Sequence, residues 1–148
     1  MKGENRVKPR VLCLSKIIKK EKIVTDTTAK IPNEQSDGYR DDCVFCKIVA
    51  GRIPSAKVYE DDCVYAFKDI NPKTAVHILI VPKKHASNVA ELAARDPETL
   101  ADIVTVAQKI ADDSFHGAYR LVFNTGKDAG QSVFHAHAHV LTGEVLPE

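Results

Sequence analysis

Apolar and polar residues alternate most regularly in Phe134-His135-Ala136-His137-Ala138-His139-Val140-Leu141, where histidine and alanine take turns. A period of two is the period of a β-strand, so the three imidazoles are expected on one face. Same-face neighbours would then stand roughly 6.6–7 Å apart and the outer two about 13–14 Å apart. Evenly spaced rings suit an extended polar ligand such as a phosphate chain. The pattern predicts the strand carrying them over Val133–Leu141, with others at Lys57–Glu60, Val64–Asp69, Val76–Pro82 and Tyr119–Asn124. The third of these, in chain order, is mostly apolar, as a central strand should be. A short helix is predicted near Phe45–Ala50, closed by Gly51. A long one starts at Asp96 as N-cap, with Pro97 at N1 and Glu98 at the positive end of the dipole. Leu100, Ile103, Val104, Ala107, Ile110 and Ala111 recur at helical spacing, and Gly117 can end the helix. Strands interrupted by one long helix and joined by tight loops predict an antiparallel α+β domain.

Length and charge refine this. With 148 residues, 44% of them hydrophobic, the chain suffices for one domain with a substantial core. The net charge of +1 hides an asymmetry: residues 1–40 sum to +5 and residues 41–148 to −4. The division is read as a basic, flexible extension over 1–40 and a catalytic domain over 41–148. The extension includes a basic, partly apolar run from Lys8 to Lys20, for which a transit peptide or a membrane-surface helix is the competing reading. A mildly acidic domain argues against a nucleic-acid groove, and the absence of tryptophan argues against a base-stacking surface. No apolar run approaches the ~20 residues that span a bilayer, so no membrane partner is expected. Four cysteines without a legible secretory signal point to a reducing compartment, here the cytoplasm, and to metal or thiol chemistry rather than a disulfide framework.

The candidate chemistry gathers around the histidines. Before them lies Asn124-Thr125-Gly126-Lys127-Asp128-Ala129-Gly130-Gln131-Ser132, a loop of small polar residues with two glycines that let backbone amides approach an oxyanion. Three successive strand histidines cannot converge on one ion within about 2.1 Å, because the outer pair start about 13 Å apart. No Asp or Glu lies between Gln131 and Gly143 to complete a metallohydrolase set. A nucleophile fits better: a neutral imidazole, with its reference pKa near 6.5, can attack phosphorus without a separate base. His137 has a histidine on each side. Cys43-Val44-Phe45-Cys46 is ambiguous between redox and metal roles.

Gly130 to Leu141, Gly-Gln-Ser-Val-Phe-His-Ala-His-Ala-His-Val-Leu, resembles the histidine triad (HIT) pattern. The likeness extends to Asp42–Pro54, to Phe67-Lys68-Asp69-Ile70-Asn71-Pro72 and to His77–His85, in order and at compatible spacing. The branch most similar is that of the Hint-like nucleotide-binding phosphoramidases. The resemblance implies a five-stranded antiparallel sheet with one long and one short helix, and a homodimer about a two-fold axis. It implies a purine nucleotide substrate, with His137 attacking the α-phosphorus to give a nucleotidyl-histidine that water hydrolyses. His139 would bind a phosphoryl oxygen, helped by backbone amides around Gly130, Gln131 and Ser132. Ser132 would bond the leaving group and His77 would support the nucleophile. Asp69 matches the ribose-binding aspartate, Phe45, Ile48, Phe67 and Ile70 would wall the base, and Asn124 matches a position near the phosphate. Where both cysteines are retained, Cys43, Cys46, His85 and His135 form a structural zinc site, a cofactor not needed for the chemistry. The expected activity is hydrolysis of nucleoside 5′-phosphoramidates; the alternatives are a dinucleoside polyphosphate hydrolase or a non-catalytic nucleotide-binding module. Residues 144–148 lack the Trp-Pro-Pro-Gly-type tail of many such members, which leaves the leaving-group preference open.

Overall fold

Five runs rich in Val, Ile, Tyr and Phe pair into one antiparallel sheet in the computed structural model, which describes residues 38–148. The extension expected over residues 1–40 lies outside the described residues up to position 37. The strands are β1 (Lys57–Glu60), β2 (Val64–Lys68), β3 (Val76–Pro82), β4 (Arg120–Val122) and β5 (Ala138–Thr142), in the spatial order β1-β2-β3-β5-β4. Among the described residues three α-helices accompany them: α1 (Val44–Val49), α2 (Val89–Arg95) and α3 (Pro97–Ser114). The β3-to-β4 connection carries α2 and α3 to the far edge, and β5 then returns to lie between β3 and β4. Among the described residues, no helix is long and apolar enough to cross a membrane.

The sheet has two faces with different cover. Register pairs Ala66 with Ile80, Ile78 with Val140 and Ile80 with Ala138, so these even-numbered positions share one face. They bury against Ile103, Val106, Ala107 and Ile110 of α3. Each fully buried aliphatic side chain there contributes about 1.5–3 kcal/mol. The odd-numbered Tyr65, Phe67, Leu79 and Val81 lie on the opposite face with Phe45, Cys46 and Ile48 of α1. His77 and His139 continue that odd row where α1 no longer covers it.

Several sequence expectations are refined. Asp96 caps α3 as expected, its side chain accepting from Thr99 N at 3.0 Å. The buried stripe of α3, however, runs through Thr99 and Val106, while Val104 is 42% exposed. Helix α2 was not expected. Its seven residues are too few for an apolar period to register, although Asn88 followed by Glu91 was a legible start. Asn88 Oδ1 accepts from Glu91 N at 3.0 Å, and Glu91 accepts from Ser87 N at 2.6 Å. Strand β5 is shorter than Val133–Leu141 and begins only at Ala138. By register Ala136 would face Pro82, which has no amide hydrogen, and there the ladder stops. Ala136 N donates to Ala86 O at 2.7 Å instead.

Candidate functional site

The early end of β5 separates the three histidines. His135 and His137 precede the strand and only His139 lies within it, yet all three rings turn to the face that α1 caps. The Phe45 ring meets the His135 ring edge-on at 6.0 Å and the His137 ring at 5.1 Å. His137 and His139 stand 5.0 Å apart, closer than the backbone repeat alone would put them. His135 is wholly buried, so two rings rather than three remain to meet a ligand.

The hydrogen bonds fix a tautomer for each ring and therefore what each ring offers. His135 Nε2–H donates to Pro82 O at 2.8 Å, which leaves the Nδ1 lone pair facing Cys43 Sγ at 3.4 Å and Cys46 Sγ at 3.5 Å. His137 Nδ1–H donates to His135 O at 2.7 Å, which leaves Nε2 as a lone-pair nitrogen. For the third ring the chain of inference starts at a backbone amide. Lys73 N–H donates to His77 Nδ1 at 3.1 Å, so the His77 proton sits on Nε2. That proton lies 3.0 Å from His139 Nδ1 and 3.4 Å from Asp69 Oδ2, measured from Nε2. His139 Nδ1 is therefore an acceptor, and the ring presents Nε2–H on its other side. A lone-pair nitrogen and an N–H donor thus stand side by side.

Burial favours the neutral form of His77 and His139. Desolvation first, and then the neighbouring His137 and His77, lower the His139 pKa to about 4. Desolvation likewise lowers that of His77, against the opposing pull of Asp69. Histidine-selective NMR is expected to find the His139 ring neutral down to about pH 5. An unfolded histidine takes its proton near 6.5, so this residue makes stability rise with pH between about 4 and 6.5 and fall as pH drops through that window. A midpoint at or above 6.5 for His139 would contradict the burial argument.

Cys43, Cys46, His85 and His135 converge on one point and could hold a metal ion. Both cysteines are buried free thiols, available as metal ligands. Cys46 Sγ lies 3.4 Å from His85 Nδ1 and 3.5 Å from His135 Nδ1. Tetrahedral zinc–sulfur and zinc–nitrogen bonds would put such atoms roughly 3.6 Å apart. Burial pushes the Cys46 thiol up to about 11, a cost that a bound dication reverses by displacing the proton. The set fits a closed, structural ion; the Pro82 carbonyl fixes the His135 tautomer as outer-shell partners do.

The remaining positions divide. Phe45, Ile48 and Phe67 are buried together on the α1 face, whereas Ile70 is 91% exposed. Asp69 Oδ1 accepts from Asn71 N at 2.7 Å, and the side chain remains 15% exposed. Asn124 follows β4, where continued register brings it opposite His137. The loop is more committed than its composition suggested. Gly130 N donates to Lys127 O at 3.0 Å and Gln131 N to Gly126 O at 3.1 Å, so neither amide is free for an oxyanion. The Gln131 amide is also engaged, accepting from Gly126 N and donating to Ser87 O and Val133 O. Gln131 is thus a brace, and Ser132, exposed, is what the loop offers. A cleft of about 320 Å³ bounded by Ser132, Arg40, Asp42, Val44, His85 and Phe134 opens beside the Cys/His cluster. The Lys73 amide, which sets the tautomers, had no signal in the sequence because any residue could supply it.

A row of histidines with divided roles thus stands beside a Cys₂His₂ cluster on the α1 face of a five-stranded antiparallel sheet. The family model described as scavenger mRNA decapping enzyme C-term binding matches residues 42–145. The purine nucleoside phosphoramidase of Escherichia coli K12 is 41% identical over 108 residues, covering 72% of this chain and 91% of that protein. A HIT family hydrolase from Clostridium thermocellum superposes with a TM-score of 0.70 at 45% identity, covering 74% of this chain and 96% of that one. A zinc-bound histidine triad family protein from Mycobacterium smegmatis gives 0.61 at 38% identity, covering 70% and 76%. The chain belongs to the histidine triad family, and within it is similar to the phosphoramidases.

Proposed function

We propose that this protein hydrolyses purine nucleoside 5′-phosphoramidates through a nucleotidyl-histidine intermediate on His137. The observation that carries the reading is the 2.7 Å bond from His137 Nδ1–H to the His135 carbonyl, which leaves Nε2 unprotonated beside the His139 N–H. In the first step the Nε2 lone pair forms a bond to the α-phosphorus and the P–N bond breaks. The departing amine takes a proton from solvent, relayed by the Ser132 hydroxyl, while His139 Nε2–H donates to a phosphoryl oxygen as its charge grows. In the second step water forms a P–O bond and gives a proton back to solvent, the P–Nε2 bond breaks to restore the lone pair, and the nucleoside monophosphate leaves.

Asp69 keeps oxygen lone pairs for the ribose hydroxyls, and Phe45, Ile48 and Phe67 back the base. The cofactor of this reading is zinc at Cys43, Cys46, His85 and His135. Its work is structural: it fixes the His135 ring, and with it the carbonyl that orients His137. The zinc-bound relative from M. smegmatis supports that choice of ion. A two-fold dimer belongs to the same reading, and the position of the three-residue β4 at the sheet edge permits it.

Mass spectrometry of protein quenched during turnover of an alkyl-amine adenosine 5′-phosphoramidate tests the proposal. The expected product is an AMP adduct on the peptide carrying His137. Turnover without an adduct, with oxygen from labelled water entering AMP in a single displacement, would remove it. The ratio of kcat/KM on that substrate and on a diadenosine polyphosphate then separates the two hydrolase activities.

A further inference from the structure

Three metal-ligating side chains outside the Cys₂His₂ cluster point at a common spot. Asp69 follows β2, His77 opens β3 and His139 lies in β5, and their ligand atoms all lie within 4.8 Å of one another. His77 Nε2 is 3.0 Å from His139 Nδ1 and 3.4 Å from Asp69 Oδ2. A cation bound at about 2.0–2.2 Å to each ligand would hold neighbouring donors roughly 3.0–3.5 Å apart. Two imidazoles with one carboxylate are a donor set that divalent first-row ions accept. The partial exposure of Asp69 and His139 leaves room for water to complete the coordination.

We infer that Asp69, His77 and His139 form a second divalent-cation site, for a zinc- or cobalt-class ion, whose filling competes with nucleotide. Coordination needs lone pairs on all three atoms. His139 Nδ1 and the Asp69 carboxylate already have theirs. His77 must move its proton from Nε2 to Nδ1, so no proton is lost overall. The Lys73 N–H then gives up its acceptor and turns to water, which the exposed loop at Asn71–Lys73 allows. That lost bond makes this site weaker than the cluster of two cysteines and two histidines. The competition with nucleotide rests on the reading above, because the ion engages the same Asp69 carboxylate that would bind ribose.

The test uses the full chain with one zinc ion bound, titrated with Co²⁺ by calorimetry and visible absorption, without and with AMP. One further Co²⁺ per chain is expected, lacking the thiolate charge-transfer band that cobalt exchanged into the cysteine cluster would show. Asp69→Asn, which preserves shape, should weaken this binding by at least about tenfold, and His77→Gln should do the same. AMP should weaken it as well, and Co²⁺ should raise KM for a phosphoramidate while leaving kcat unchanged. Absence of a second ion, or a second ion indifferent to both substitutions, overturns the inference even where hydrolysis proceeds. Cobalt binding as described in a protein that hydrolyses nothing would instead overturn the functional reading and leave the cation site standing.

Discussion

Replacing His137 by alanine is expected to lower turnover of a nucleoside 5′-phosphoramidate by at least about 10⁴-fold, since what survives loss of a nucleophile is binding and electrostatic stabilisation alone. The ring is buried against Phe45, so its removal also leaves a small cavity. His137→Asn separates the two effects. Its side-chain amide can still donate to the His135 carbonyl, but it has no lone-pair nitrogen with which to attack phosphorus. Both variants should therefore be inactive, with the asparagine form closer to native in thermal stability. Full turnover in either would show that another group attacks phosphorus.

The second large effect is expected at the metal cluster. Stripping the ion with a chelator, or introducing Cys46→Ser, should remove several kcal/mol of stability, since an ion at 1,000 times its Kd contributes about 4 kcal/mol. For a domain of this size that corresponds to a Tm lower by more than about 10 °C. The loss should reach activity too, because His135 would give its ring to the ion while its carbonyl accepts from His137. Thermal unfolding and metal analysis of the same samples, before and after chelation, measure both. An unchanged Tm after the bound metal has gone would sink this expectation.

The sheet and the long helix were legible because their signals are local. The apolar run Val76–Pro82 and the Asp96-Pro97-Glu98 start each depend on a few adjacent residues. The four ligands of the cluster came through resemblance, with the Cys-x-x-Cys pair as the only local clue. What escaped was set by contacts between distant segments. The end of β5 depends on a proline that register places opposite it. The side chain of Gln131 is consumed by Ser87 and Val133, and its backbone by Gly126, none of which composition could reveal. Val104 had the right residue type at an acceptable helical position, yet it faces outward. The tautomer chain runs through a main-chain amide, and so leaves no trace in residue identity.

Strands β3 and β5 send neighbouring residues to opposite sides, one side against α3 and the other toward the histidines. The even register is given to cohesion with α3, and the odd register carries both the α1 core and the histidines. Leu79 packs in the α1 core beside the histidines, while Ile78, Ile80 and Val140 hold the sheet to α3. A lineage, or a library, that varies the odd parity therefore alters acceptance and scaffold together, and each new specificity comes with stability to restore.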